Sequence, residues 1–213
     1  MSSAGNEHPV MANEEVRVLD DDEQVLRFLM QVVRSLNLQV RGYSTPEPFL
    51  QEESPQSPAC VIVDWKLAGA DGLEVISQCQ VRWPQTPVIL ISGEATVPVA
   101  VTAMRQGAIA VLEKPFNLDD LRREITSAVA KGRQRSDANQ KQTDARVRLA
   151  TLNENELTVL KLLVQGTPNK NIAGQMNLAM RTIEKYRRAL FDKLGVDSAA
   201  EAASVWMLAN RQE

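Results

Sequence analysis

CVIVDWKLAGADG, residues 60–72, is the stretch on which the fold turns. Four apolar residues, Cys60 to Val63, run straight into a carboxylate at Asp64, and a glycine-containing loop follows. A strand that is apolar at every position has no solvent face. Such strands belong to parallel sheets covered by helices on both sides. Pro87-Val-Ile-Leu-Ile91 repeats the pattern and gives a second buried strand.

Working outward, the same alternation fills the first 130 residues. Val16 to Asp20 reads as a strand, and Val25, Leu29, Val32, Val33 and Leu36 then recur at helical spacing. Leu38 to Tyr43 reads as a strand and Thr45 to Glu53 as a short helix, with a loop at residues 54–58. Leu73, Val75, Ile76 and Cys79 mark a helix. Thr96 to Gln106 marks another, with Pro98 in its first turn and Gly107 at its end. Ala108 to Glu113 is the fifth strand and Leu118 to Ala130 the fifth helix. Five such units predict a doubly wound α/β sheet, and ligands of such sheets bind beyond the carboxyl ends of the strands.

The chemistry-bearing residues fall at that edge. Asp20, Asp21 and Asp22 follow the first strand, Asp64 ends the third, Ser92 ends the fourth and Lys114 follows the fifth. A run of aspartates alone reads as a solvated helix start. Carboxylates on neighbouring strands repel one another, and they suit a hard cation such as Mg2+ with a phosphoryl oxygen. A lysine and a hydroxyl at the same edge suit the phosphoryl group.

These residues carry a resemblance. LDDDE (19–23), VIVDWKLAGADG (61–72), ISGEATVPVAVTAMRQGA (91–108) and VLEKPF (111–116) resemble the receiver domain of two-component response regulators, over residues 14–130. The resemblance implies a flavodoxin-like fold, with Asp64 as phosphoacceptor and a sensor histidine kinase as donor. Mg2+ would be held by Asp21 and Asp64, by Asp20 through water, and by the Lys66 backbone carbonyl. Ser92 would move towards the phosphoryl group and Lys114 would pair with it. Ala68 and Val111 depart from the pattern, which usually has proline and an aromatic residue there. Lys66 and Glu94 stand two residues after Asp64 and Ser92. They are expected to pair across the site and to hinder water. A phosphatase with a nucleophilic aspartate is the rival enzyme. It needs a second aspartate two residues on as general acid, where this chain has Lys66.

Composition narrows the remaining classes. The 213 residues contain one histidine, His8, and two cysteines, Cys60 and Cys79. Histidine triads, a disulfide framework and four-ligand zinc sites are thereby disfavoured, and the cysteines read as inert buried thiols. No apolar run reaches the roughly 20 residues of a membrane span. The expected compartment is the cytoplasm. Charge is uneven: net −7 over 14–130, +4 over 131–149 and +1 over 150–213. Any polyanion would meet the back of the chain. Residues 1–13 read as a disordered tail, and 131–149 as a linker that extends the fifth helix.

From residue 150 the pattern is helical. Leu157, Leu160, Leu163 and Val164 form one buried face, with Thr151 or Asn153 as cap and Gly166 as stop. Asn169 to Met176 is a short helix, Asn177-Leu178 a turn, and Met180 to Leu194 a longer helix stopped by Gly195. Short helix, turn, longer helix is helix-turn-helix order. Ile183, Leu190 and Leu194 point inward, while Arg181, Glu184, Lys185 and Arg188 share the opposite face. LNENELTVLKLLVQGTPNKNIA (152–173) and RTIEKYRRALFDKLGV (181–196) resemble the LuxR-type four-helix DNA-binding domain of NarL/FixJ regulators. Ala179 stands where a capping serine is common, and Tyr186 where histidine is. The resemblance implies double-stranded DNA as partner, with base or phosphate contacts from Asn169, Lys170, Arg181, Thr182, Glu184, Lys185, Arg187, Arg188 and Lys193. The family's usual dimerisation face is the helix 96–106 with the fifth strand, so a homodimer on activation is expected. The whole reads as a phosphorylation-dependent transcription regulator rather than an enzyme. The alternative is a phosphorylation-independent DNA-binding regulator whose receiver serves dimerisation or docking.

Overall fold

The computed structural model describes residues 14–52 and 57–211, so the expected tail 1–13 and most of the loop at 54–58 lie outside it. The chain divides into two compact units, residues 1–136 and 137–213.

The first unit is built from β1 (Glu15–Leu19), α1 (Glu23–Ser35), β2 (Gln39–Tyr43), α2 (Pro46–Gln51), β3 (Cys60–Asp64), β4 (Lys66–Leu67), β5 (Ala70–Asp71), α3 (Gly72–Arg82), β6 (Val88–Ser92), α4 (Val97–Arg105), β7 (Ala108–Glu113) and the start of α5 (Leu118–Ala150). Five strands form one parallel sheet in the order β2-β1-β3-β6-β7. The fully apolar β3 and β6 lie inside the sheet, buried at every position. Side chains alternate between two cores. Val16, Val18, Cys60 and Ile62 meet α1 and α5 on one face, while Leu19, Val61 and Val63 meet α2 and α3 on the other. Burial pushes both cysteine thiols up, Cys79 to about 12, as expected of inert core groups.

Two features escape the strand-and-helix pattern. The segment expected to be a plain loop after Asp64 folds into a small antiparallel ribbon, Lys66 opposite Asp71 and Leu67 opposite Ala70. Arg17 in β1 is wholly buried; its Nε donates to Glu15, and its guanidinium lies 4.9 Å from the Trp83 ring centre.

The second unit joins the end of α5 to α6 (Glu154–Val164), α7 (Asn169–Met176), α8 (Met180–Leu194) and α9 (Ala199–Ala209). It begins at Asp137, and so takes in residues assigned from sequence to the linker. α5 runs unbroken to Ala150. Gln142 donates to the Arg211 carbonyl (2.7 Å), Arg146 to Ala209 (3.0 Å) and Arg148 to Leu194 (3.2 Å). Arg146 and Arg148 of α5 thus satisfy the last carbonyls of α9 and α8, and Gln142 bonds the chain just past α9. Asn153 caps α6 in a capping box with Glu156. Asn177, in the left-handed region at φ 53°, makes the turn between α7 and α8. Ile183, Leu190 and Leu194 are buried against Val159, Leu160 and Ile172.

Candidate functional site

The parallel register brings the first candidate site together. β1 and β6 flank β3, and Asp64 pairs with Ile91 in register, so the residue after β1 and the ends of β3 and β6 share one edge. The Lys114 backbone N–H donates to the Ser92 carbonyl (2.7 Å), which fixes the chain after β7 to the end of β6. The Lys114–Pro115 peptide is cis.

From that anchor the Lys114 ammonium reaches Asp64 Oδ1 at 2.6 Å and Asp20 Oδ2 at 2.9 Å. Residues 94 and 50 positions apart in the chain therefore meet in one cluster. Asp20 and Asp64 are buried, and Lys114 is a quarter exposed. The other Asp64 oxygen accepts the Lys66 N–H at 2.8 Å. Asp21 is exposed and accepts the Ala68 N–H at 2.9 Å, tying the β1 end to the ribbon after Asp64. Asp22 is not part of the cluster. It caps α1 by accepting the N–H groups of Gln24 and Val25, which hold its carboxyl below the ordinary carboxylate range. Ser92 is buried, and its Oγ accepts the Glu94 N–H at 3.0 Å. Lys66 and Glu94 form an ion pair at 2.9 Å, as the spacing suggested.

Electrostatics describe a site short of positive charge. Burial pushes the Asp20 carboxyl up, outweighing its hydrogen bond and attraction to Lys114. Burial opposes the Lys114 charge too, but the Asp64 and Asp20 hydrogen bonds prevail and raise it. Among the described residues, no three His, Cys, Asp or Glu side chains stand close enough to hold a metal ion as they are placed. The lysine ammonium lies between Asp20 and Asp64 instead. The side chains gathered at this edge, Asp20, Asp21 and Asp64, nonetheless offer only oxygen donors, and with Lys114 they carry more negative than positive charge. That chemistry fits Mg2+ better than a softer metal.

The second candidate site lies on α7 and α8. Arg181, Glu184, Lys185 and Arg188 are exposed on α8, and Thr182 is half-buried beside them. Lys170 is exposed in the first turn of α7. Three expected phosphate contacts have partners inside the unit. Arg187 donates to the Asn169 side chain, bridging α8 to α7, and its guanidinium lies 5.5 Å from the Phe191 ring centre. Lys193 pairs with Glu156 at 2.6 Å. Nothing in the sequence alone separates these clasping cations from free ones; only the position of Glu156 across the fold does.

Comparison with known proteins identifies the family of each of the two domains. Residues 16–126 match the response regulator receiver domain, and residues 150–206 match the LuxR family of bacterial regulatory proteins. The chain is 35% identical to the transcriptional regulatory protein FixJ of Azorhizobium caulinodans, over 91% of this chain and 92% of that one. It is 30% identical to the response regulator protein TodT of Pseudomonas putida, over 89% and 84%. Among solved structures, the response regulator StyR superposes with a TM-score of 0.82 at 29% identity, covering 91% of this chain and 98% of that chain. Full-length FixJ from B. japonicum gives a TM-score of 0.55 at 30% identity, covering 94% and 98%. Among the described residues no helix is long and apolar enough to cross a membrane.

Proposed function

The chain belongs to the two-component response regulators that join a receiver to a LuxR-type DNA-binding domain, and from that premise we propose that Asp64 takes a phosphoryl group from a sensor histidine kinase and that α8 then reads DNA. The observation that carries the reading is the Lys114 ammonium shared between Asp64 (2.6 Å) and Asp20 (2.9 Å) at the carboxyl edge of the sheet. An Asp64 carboxylate oxygen attacks phosphorus in line, the P–N bond to the donor imidazole breaks, and an acyl phosphate results. Lys114 neutralises the transferred group, and the Ser92 hydroxyl donates to one of its oxygens. Mg2+ held by Asp21 and Asp64, by Asp20 through water, and by the Lys66 carbonyl would offset charge on the phosphoryl oxygens.

Phosphate contributes new contacts to Ser92 and Lys114 only in the active arrangement, so it shifts a population rather than building a state. Val111 is half-buried against the core that holds Leu19, Val63 and Val75. A valine there leaves the switch to the Ser92 side without an aromatic rotamer. The helix α4 exposes Val97, Val101 and Met104, an apolar strip that suits the expected homodimer. Arg181, Glu184, Lys185 and Arg188 enter the major groove, while Lys170 meets phosphate.

The test is acetyl phosphate with Mg2+, followed by phosphate-affinity gels and DNA shift assays at stated salt. Wild type gains a shifted band and tighter DNA binding, and Asp64→Asn gains neither. A chain that is labelled on Asp64 yet binds DNA equally well either way would instead favour the phosphorylation-independent regulator.

A further inference from the structure

Met180 is the residue of α8 that packing does not explain. It is 44% exposed and, among the described residues, it is the one large apolar side chain on that helix left so open. It stands outside the core of the helical unit. Its neighbour Ala179 is exposed as well, and at the N-cap it offers the first turn no side-chain hydrogen bond. A Ser, Thr, Asp or Asn there would accept one of the open N–H groups and stabilise the helix. The leading edge of α8 is therefore a methyl group and a thioether where a polar cap would be more stable. Next to them Arg181, Glu184 and Lys185 are exposed.

In helix-turn-helix docking the N-terminal residues of this helix meet the base edges. The major groove presents hydrogen-bond donors and acceptors, and one apolar feature, the C5 methyl of thymine. We propose that Met180, with Ala179 beside it, reads that methyl and makes thymine a required base in each half-site. This rests on the reading of α8 as the DNA-contacting helix and adds the base class to it. A flexible, polarisable thioether can follow the methyl without the fixed geometry that a hydrogen bond demands. Contact removes apolar surface of both groups from water, and one buried methyl corresponds to about a fourfold change in affinity, ~0.8 kcal/mol.

The experiment uses the full chain with acetyl phosphate and Mg2+. A pool of random duplex DNA is selected with wild type, Met180→Ala and Met180→Leu, each checked for helicity by circular dichroism. Wild type should enrich a site with one fixed thymine per half-site. Replacing that base by uracil, which lacks only the methyl, should weaken wild type about fourfold. Met180→Ala should bind the two sites equally, and Met180→Leu should restore the preference. The same consensus and the same uracil penalty with Met180→Ala would overturn the proposal. A wild type that enriches no sequence would overturn the DNA-reading proposal itself, a failure visible before any variant is tried.

Discussion

The Lys66 ammonium meets the Glu94 carboxylate at 2.9 Å, joining the segment after β3 to the segment after β6 across the edge where Asp64 stands. Each residue is fixed at its base: the Lys66 N–H binds Asp64 Oδ2, and the Glu94 N–H binds Ser92 Oγ. Both side chains are about two-thirds exposed, at 63% and 66%, so the pair contributes little stability. Its place suggests a different effect, obstruction of water approaching an acyl phosphate. Replacing both by alanine should leave the melting temperature nearly unchanged and shorten the phosphoprotein half-life several-fold. Decay of radiolabel from purified phosphoprotein measures this, and an unaltered lifetime refutes the obstruction.

Asp21 touches only the Ala68 N–H among the groups of the cluster, whereas Asp20 and Asp64 are buried against Lys114. Asp21→Ala should therefore cost little stability, about 1 kcal/mol for one hydrogen bond. It should, however, remove the response to Mg2+. Trp65 adjoins Asp64, with the Lys66 ammonium 5.2 Å from its ring centre, so its fluorescence reports on the site. A Mg2+ titration should quench wild type saturably, Asp21→Ala weakly, and Trp65→Phe not at all. Equal titration of wild type and Asp21→Ala would remove Asp21 from the ligand set.

Gly72 opens α3 where the chain folds back over the end of β3. A Cβ there would lie 2.2 Å from the Asp64 carbonyl oxygen and 2.8 Å from the Trp65 Cα, both backbone atoms with no rotamer to relieve the clash. Gly72→Ala must displace the end of β3. We expect a loss of about 1–3 kcal/mol in stability, the usual cost of overpacking, together with slower phosphorylation from acetyl phosphate. Thermal melts and labelling rates measure the two effects, and normal labelling with reduced stability would mean that the strand end tolerates the shift.

The buried runs at Cys60–Asp64 and Val88–Ser92 were legible because their alternation-free apolar pattern has one structural solution, and strand ends then place Asp20, Asp64, Ser92 and Lys114. Helix limits at Asn169–Met176 and Met180–Leu194 were legible because Asn177 and Gly195 adopt the left-handed stop conformations their residue types favour. The ribbon at Lys66–Asp71 was not, since two-residue strands carry no periodicity. Nor were the partners of Arg187 and Lys193. A basic residue on a helix has the same local pattern whether it faces phosphate or a carboxylate 37 positions away.

The segment 131–149 illustrates the same limit. Its lack of apolar residues suggested a linker that extends the fifth helix, and α5 does run through it. The sequence did not show that Gln142 and Ala145 would be buried, or that Arg146 and Arg148 would bond the last carbonyls of α9 and α8. A fragment 137–213 should accordingly melt cooperatively. A fragment 150–213 should be less stable by about 2–4 kcal/mol, at roughly 1 kcal/mol per lost hydrogen bond plus lost packing. Urea titration of the two fragments decides it, and equal midpoints would show residues 137–149 to be dispensable.

Glu156 and Lys193 make the acid stability of the helical unit testable. Glu156 is 4% exposed, and burial opposes its charge. The Lys193 hydrogen bond, the Asn153 backbone N–H and the Lys193 charge outweigh burial and hold the carboxyl below its ordinary value of 4.5. An acid whose pKa is depressed on folding binds protons more weakly folded than unfolded. Its stabilisation is complete above the unfolded value and is lost as pH falls through the folded one. Lys193→Met removes the ammonium and leaves a buried carboxylate held by the cap alone, at a cost of about 1–3 kcal/mol near neutral pH. It also raises the folded pKa of Glu156 towards the unfolded one, which flattens the acid limb of the stability curve. Trp206 is the one tryptophan in residues 137–213, so fluorescence melts of that fragment follow the unit directly. Between about pH 6 and pH 3, wild type should lose stability more steeply than Lys193→Met, and the two curves should converge at the acid end. Parallel curves across that range would mean that the ion pair contributes nothing to holding α8 against α6.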